Sequence, residues 1–369
     1  MSFTAADHRF MGRALQLARR GLRTTDPNPR VGCVIADGDR LVGQGWHEFA
    51  GGQHAEIAAL NEASEPVRGM TAYVTLEPCA HHGRTPPCTQ ALIEAGIARV
   101  VVAVEDPHPQ VDGNGLRQLR EAGVTVETGL LADHAERLNP GFLKRARTGR
   151  PWLRVKSATS LDGRTGLANG DSKWITGEDA RRDVQSWRAR SSAILTGIGT
   201  VLADDPSLDA RVTGPVHQPL HVVVDSTWRT PLSSRVLRES ERAWIVGGER
   251  NAATDALEAT GVRCTSLPGT DGRVDLPQLL DALGEAELNE VQVEAGSHLC
   301  GALLQAGLVD EVLLYLAPVL LGEGGPGPFA FGPLESMQGR THLNLVDTTH
   351  VGRDLRLRLL PSSNPSDGH

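Results

Sequence analysis

"RVVVAVED", residues 99–106, constrains the fold more than any other stretch. Val100–Val104 is an unbroken apolar run, as in a strand buried on both faces. Such a strand belongs to a sheet with helices packed on each side. The neighbouring segments supply the rest of that α/β pattern. "VGCVIAD" (31–37) turns at Asp37-Gly38-Asp39 into "RLVGQGW" (40–46), a hairpin. "HAEIAALNEA" (54–63) reads as a helix, "TAYVTLE" (71–77) as a strand, and "CTQALIEAG" (88–96) as a helix with a glycine stop. "GLRQLREAG" and "VTVETGL" (115–130) add one more helix and strand. At the N-terminus Phe10, Ala14 and Leu17 recur at helical spacing, with Thr4 as N-cap and Gly21 as stop.

"KRARTGRP" (144–151) is basic and polar and reads as a boundary, dividing the chain into 1–147 and 148–369. Beyond it the strand–helix alternation begins again with "WLRVKSATSLDGR" (152–164). "TGEDARRDVQSWRAR" (176–190) is a charged helix in which Thr176 and Asp179 resemble a capping pair. "AILTGIGT", "HVVVDS", "RAWIVGG", "EVQVEAG" and "EVLLYLAPVLLG" read as buried strands running into glycine turns. "THLNLVDTT" and "DLRLRLLP" read as a closing antiparallel pair, and "PSSNPSDGH" as a disordered tail. "GIGTVL" lacks the third glycine of a dinucleotide fingerprint. No stretch approaches the ~20 apolar residues of a membrane span.

The chemistry concentrates in "TLEPCAHHGRTPPCTQ" (75–90) and, upstream, "GGQHAEIAAL". A catalytic zinc takes three protein ligands and keeps one position open. His54, Cys79 and Cys88 supply one imidazole and two thiolates, a neutral set around Zn²⁺. The metal then brings a bound water to a pKa of about 7. A carboxylate that is not a ligand, Glu56, moves protons from that water to a leaving amine. Positions i and i+2 do not share a helix face, so His54 and Glu56 serve one ion only if the helix start points at it. A second arrangement stays open: a closed structural site of Cys79, Cys88 and His81 or His82, which leaves Glu56 without a task. Cys33 alternates within a strand and reads as core.

His-x-Glu followed by Pro-Cys and a second cysteine resembles the zinc cytidine and nucleoside deaminase signature. Eight residues, Ala80 to Pro87, separate the cysteines here, where that signature has two. "TLEPCAHHGRTPPC" and "DPNPRVGCVI" (26–35) are instead similar to the deaminases of riboflavin biosynthesis. The resemblance places Asn28, His47, His81 and His82 around the substrate pocket and makes Glu56 the proton shuttle. "VKSATSLDGRTG", the segment 170–208 and "VEAGSHLCGALLQAGLVDE" are similar to the reductase half of bifunctional riboflavin-biosynthesis proteins. That resemblance implies a cytidine-deaminase-like three-layer domain followed by a dihydrofolate-reductase-like one, with Zn²⁺ and NADPH as cofactors. NADPH would meet Ala158, Trp174, Thr200, Asp204, Ser226 and the turn at Gly296. The ribosyl-phosphate substrate would meet Ser172, Arg188, Leu208, Arg211 and Glu294. Arg188 and Arg211 offer planar forks for a phosphate, and Lys156 would polarise or protonate the reacting sugar centre. The implied substrate is a small pyrimidine ribotide, 2,5-diamino-6-(5-phosphoribosylamino)pyrimidin-4-one, and the implied assembly a homo-oligomer, dimer or tetramer.

The rival function is a zinc deaminase acting on RNA or another nucleoside, with a non-catalytic nucleotide-binding second domain. A net charge of −8 and an aromatic content of 4% argue against the basic, aromatic-lined groove that nucleic acid requires, and no membrane partner is expected. A further rival is a non-enzymatic zinc module with four protein ligands. Five scattered cysteines, an odd number, imply no disulfide framework and fit the cytoplasm.

Overall fold

A computed structural model describes residues 3–80, 87–108 and 111–362. The chain divides into two compact units, Met1–Arg150 and Pro151–His369. The first unit contains α1 (Ala5–Ala18), β1 (Gly32–Asp37), β2 (Arg40–Trp46), α2 (Ala55–Glu62), β3 (Thr71–Val74) and α3 (Cys88–Glu94). Then follow β4 (Arg99–Val102), α4 (Asn114–Glu121), β5 (Thr125–Thr128), α5 (Ala132–Leu138) and α6 (Pro140–Thr148). The sheet order is β2-β1-β3-β4-β5; β1 is antiparallel to β2 and β3, and β3, β4 and β5 run parallel.

Period-2 alternation sorts the strand residues into two cores. Cys33, Ile35, Ala72, Val74, Val100 and Val102 pack with Ala55, Ala59, Leu92, Leu116 and Leu119 from α2, α3 and α4. Val34, Ala36, Tyr73, Val101 and Ala103 pack with Phe10, Met11, Ala14, Ala135, Leu138 and Leu143 from α1, α5 and α6. Three layers result, as the apolar run at 100–104 requires. Thr4 caps α1 through a reciprocal capping box with Asp7, an arrangement that contributes about 1 kcal/mol. The α-helix ends at Ala18 and a 3₁₀ turn carries the chain on to Gly21.

The basic run read as a boundary is helical through Thr148. Pro140 opens α6, Arg145 and Arg147 sit in its last turn beside the exposed carbonyls, and Gly149 ends it at φ 77°. A basic, polar surface helix and a linker have the same composition, and the helix start at Pro140 is what distinguishes them.

The second unit contains β6 (Trp152–Ser160), α7 (Glu178–Ala189), β7 (Ala193–Gly197), α8 (Ile198–Asp204), β8 (Leu220–Val224), β9 (Ala243–Gly247) and α9 (Ala252–Glu258). It continues with β10 (Arg263–Ser266), α10 (Leu276–Glu285), β11 (Glu290–Val293), α11 (Ser297–Gln305), β12 (Glu311–Ala317), β13 (Leu343–Val351) and β14 (Asp354–Pro361). One nine-stranded sheet runs in the order β10-β9-β8-β7-β11-β6-β12-β14-β13. All neighbours are parallel up to β12; β14 is antiparallel to β12 and β13. The expected closing pair is present and includes Pro361; residues 363–369 of the expected tail lie outside those described.

The Thr176–Asp179 capping pair does not form. Gly177 is the N-cap of α7, its N–H donates to Asp354 Oδ2 at 2.7 Å, and Asp179 pairs with Arg182 instead. The helix begins one residue later than the capping pattern requires. Beneath α7, Arg154 is fully buried between two carboxylates, Nε to Glu311 at 2.8 Å and Nη2 to Glu290 at 2.9 Å. Arg190 and Arg358 complete the network at 2.9 and 2.6 Å.

Candidate active sites

Glycine brings α2 directly onto β2. A Cβ on Gly43 would lie 2.4 Å from the Ala59 carbonyl, and one on Gly45 2.5 Å from the Ala59 nitrogen. This packing fixes the start of α2. His54 is its N-cap, with an extended backbone at φ −71° and ψ 156°. The imidazole therefore leaves the helical register, and the i, i+2 conflict with Glu56 disappears. Cys79 follows β3 on the Pro78 corner, and Cys88 opens α3. His54 Nδ1 lies 3.2 Å from Cys88 Sγ and 3.5 Å from Cys79 Sγ, and all three ligand atoms fall within 4.8 Å of one another. Tetrahedral zinc, with Zn–S ~2.3 Å and Zn–N ~2.0 Å, needs ligand separations of about 3.5–3.8 Å. The three residues fit that ion after small adjustments.

The electrostatics of the cluster are set by burial and by the close approach of the two thiols. A hydrogen bond from Cys88, joined by one from His54, holds the Cys79 thiol down at about 4 despite burial. The same bond to Cys79, then burial, pushes the Cys88 thiol up. Glu56 is 3% exposed; burial first, then the Cys79 charge, raises its carboxyl to about 7. His47 is buried, and burial lowers its pKa. Its Nδ1 donates to the Gln53 carbonyl at 2.9 Å, which leaves Nε2 to accept from Asn28 Nδ2 at 3.0 Å. The His47 ring stands edge-on to His54 with centroids 5.6 Å apart, so Asn28 is held beside the ligand cluster. His81 and His82, and with them the closed arrangement, lie outside the described residues.

A residue the sequence reading passed over orders this corner. Glu77 is buried, and its carboxylate accepts backbone N–H bonds from Asp106, Gly113, Gly115 and Leu116 at 3.1, 3.2, 2.9 and 3.3 Å. It ties the Pro78-Cys79 corner to the start of α4, where a Cβ on Gly115 would come within 2.1 Å of the Pro78 carbonyl. The available signal was a carboxylate directly after an apolar strand, between Leu76 and Pro78.

In the second unit the parallel strands β6, β11, β7 and β8 end along one edge, where open α/β sheets bind ligands. A 760 Å³ cleft crosses these ends, lined among others by Ser172, Thr200, Asp204, Ser226 and Gly296. A 350 Å³ cavity adjoins it, sharing Ser172, Thr200, Asp204 and Gly296 and adding Lys156, Ala158, Trp174 and Glu294. A third, of 810 Å³, shares Lys156, Trp174 and Glu294 and adds Arg188, Leu208 and Arg211. Every residue named from the sequence for this half therefore lines one of three adjoining spaces.

Arg188 is not a free phosphate fork. Arg188 directs Nε and Nη2 to the two Glu294 oxygens at 2.7 and 2.8 Å, and Nη1 to the Asp209 carbonyl at 3.0 Å. Buried opposite charges pair rather than wait unpaired for a ligand. Burial alone would raise Glu294; the Arg188 charge and hydrogen bonds outweigh it and bring the carboxyl to about 2. Burial, and then the Arg188 charge, lower the Lys156 pKa, with Glu294 opposing. Arg211 stays exposed in the same cavity. Trp174 is 68% exposed, with the Arg181 guanidinium 4.7 Å above its ring.

Residues 4–104 match the cytidine and deoxycytidylate deaminase zinc-binding region, and residues 151–357 match the RibD C-terminal domain. The riboflavin biosynthesis protein RibD of Escherichia coli (strain K12) is 47% identical over 367 residues, covering 96% of this chain and 99% of that protein. The solved structure of Acinetobacter baumannii RibD, form 1, superposes with a TM-score of 0.90 at 45% identity, covering 97% and 99% of the two chains. A Thermotoga maritima deaminase/reductase superposes with a TM-score of 0.86 at 32% identity, over 97% and 99%. Fold and sites together define a zinc-site deaminase and a reductase on one chain. The chain belongs to the RibD family, the bifunctional deaminase–reductases of riboflavin biosynthesis. The rival of a non-catalytic second domain is thereby replaced, since that half matches the reductase of the family.

Proposed function

We propose that the first unit deaminates 2,5-diamino-6-(5-phosphoribosylamino)pyrimidin-4-one and that the second reduces the ribosyl chain of the deaminated product to ribityl with NADPH. The observation that carries the reading is the buried Glu56 carboxyl beside the His54–Cys79–Cys88 cluster. The Thermotoga relative, described as a diaminohydroxyphosphoribosylaminopyrimidine deaminase and 5-amino-6-(5-phosphoribosylamino)uracil reductase, supports the choice of substrates.

His54, Cys79 and Cys88 hold the zinc, which when bound acidifies a water to near neutrality. Glu56 is no ligand. Its buried carboxyl takes the proton from that water and delivers it to the amine that leaves as ammonia. Asn28, fixed by His47, orients the pyrimidine ring. His81, outside the described residues, is proposed as a substrate-binding residue on the family resemblance alone.

In the second unit Ala158, Trp174, Thr200, Asp204, Ser226 and Gly296 hold NADPH, which supplies the hydride when bound. Lys156 donates a proton to the reacting sugar centre, a role suited to an ammonium already disfavoured by burial. Ser172 and Leu208 shape the ribotide site, and Arg211 takes the phosphate. Arg188 holds Glu294 in line with the sugar. The thiols of the metal cluster suit the reducing cytoplasm. A homo-oligomer, dimer or tetramer, would cover the long edge strand β13, where Leu345 and Val346 are exposed; light scattering decides the number of chains.

The test is to incubate the protein with the diaminopyrimidine ribotide, with and without NADPH, and follow ammonia and NADPH separately. Ammonia release without NADPH, and NADPH oxidation only after ammonia appears, is the expected order. NADPH oxidation ahead of ammonia release would contradict it.

A further inference from the structure

Leu208 and Arg211 sit on a segment that side chains hold in place. Residues 206–219, between α8 and β8, form no helix or strand. Among the described residues, none of their backbone groups hydrogen-bonds to another backbone group. Backbone N–H and C=O groups are costly to leave unpaired away from water, and here side chains meet them. Arg188 Nη1 donates to the Asp209 carbonyl at 3.0 Å, and the Arg211 N–H donates to Gln185 Oε1 at 2.9 Å. Both of those side chains come from α7 and line the 810 Å³ cavity themselves.

Ala210, between the two, is held by a residue outside α7. Its N–H donates to Gln218 Oε1 at 3.0 Å, and its carbonyl accepts from Gln218 Nε2 at 3.0 Å. A carboxamide offers one acceptor beside a donor, so Gln218 pairs with Ala210 as a residue of a neighbouring strand would. Gln218 stands two residues before β8, whose first residue, Leu220, donates its N–H to the Ser192 carbonyl at 2.9 Å. The clamp is thus anchored in the sheet. Gln218 is half-buried and lines none of the three spaces.

The clamped segment is strained. Asp205 at φ 40° and Leu208 at φ 57° are non-glycine residues with left-handed backbone, and Leu208 is buried. Such backbone persists where its surroundings over-determine it. Arg242 adds a brace, Nη2 to Asp209 Oδ1 at 2.8 Å. The Arg211 side chain is exposed, with a 3.4 Å hydrogen bond to Ser207 Oγ. Where its guanidinium reaches therefore depends on the backbone that carries it.

We propose that Gln218 is a positioning residue of the reductase: through Ala210 it sets Arg211 against the ribotide phosphate, and so favours the phosphorylated substrate over the free riboside. The inference rests on the reading of this unit as a ribotide reductase with Arg211 at the phosphate. A displaced guanidinium loses its charge-assisted bonds to the phosphate, whereas a riboside has no such bonds to lose.

The test follows NADPH oxidation by the full chain with the deaminated ribotide and with its dephosphorylated riboside, and takes the ratio of the two kcat/KM values. The wild-type ratio should favour the ribotide by about 10- to 100-fold, the scale of a charge-assisted contact. Arg211→Gln should bring it near one. Gln218→Ala should lower it by about tenfold, a scale that small displacements of a binding group reach, and chiefly through KM for the ribotide. Gln218→Glu keeps the acceptor for the Ala210 N–H but loses the donor, so it should fall between wild type and Gln218→Ala. It also stands in if the alanine variant does not fold. Combined with Arg211→Gln, Gln218→Ala should lower the ratio no further, because both act through one contact. A purely structural loss would slow ribotide and riboside alike and leave the ratio unchanged. An unchanged ratio in the Gln218 variants, or a double variant about tenfold below Arg211→Gln, would overturn the role of Gln218. A wild type without preference for the ribotide would sink the placement of Arg211 at the phosphate, and the role of Gln218 with it.

Discussion

Burial lifts the Glu56 carboxyl well above the ordinary carboxylate range. Its folded pKa of about 7 lies above the unfolded value of 4.5. The native state then binds the proton more tightly, so this group's contribution to stability is complete below pH 4.5 and is lost as pH rises through 7. The loss amounts to about 3 kcal/mol at 1.36 kcal/mol per pKa unit. In metal-stripped protein, Glu56→Gln should therefore melt higher than wild type at pH 8, with the gap closing toward pH 4; equal melting at pH 8 would contradict the burial argument. Glu77 acts at one remove from the metal. Glu77→Gln keeps the shape but presents an amide to four N–H donors, and zinc affinity measured by competition with a chelator should fall about 10–100-fold, as for other residues that orient ligands. An unchanged affinity would make Glu77 a fold residue alone. The gathering of His54, Cys79 and Cys88 was legible because His-x-Glu and Pro-Cys are residue types with few other uses at those positions. Glu77 was not, because four backbone donors separated by up to 39 positions leave no mark in the sequence. Arg188 was half legible: its type suggested a fork, but the sequence does not show that Glu294 occupies it.

At the scale of elements, strands with continuous or alternating apolar runs were legible, since the period of two reports which face is buried. The β4 run and the β1–β2 hairpin around Gly38 are the plainest cases. Elements without such a run were not: β10 is "RCTS", and α6 is masked by its basic last turns. The Arg154 network links three strands, β6, β11 and β12, through charges that a strand pattern would place at the surface. Removing the central cation strands two buried carboxylates with fewer partners. Arg154→Ala should cost about 3–5 kcal/mol in chemical denaturation, with the secondary-structure signal and the first unit's deaminase activity as controls. A loss under about 1 kcal/mol, the scale of an exposed pair, would show the network to be dispensable.

At the scale of the whole chain, each buried apolar cluster among the described residues lies within one unit, so each site has its own core beneath it. Strand order was beyond the sequence, because β11, late in the chain, inserts between β6 and β7, and only long-range pairing decides that. The cleft gathers residues from six or more separate segments between Lys156 and His298, a set that resemblance could assign and periodicity could not. Two chemically distinct sites share the chain, and Glu56 is the proposed proton carrier of one. The most direct measurement is made on Glu56→Ala, following bound zinc, ammonia release from the diaminopyrimidine ribotide, and NADPH oxidation by the already deaminated ribotide. One zinc should be retained, deamination should slow by about 10²–10⁴, and NADPH oxidation should run at the wild-type rate. Normal ammonia release, or loss of NADPH oxidation on the deaminated ribotide, would contradict that expectation.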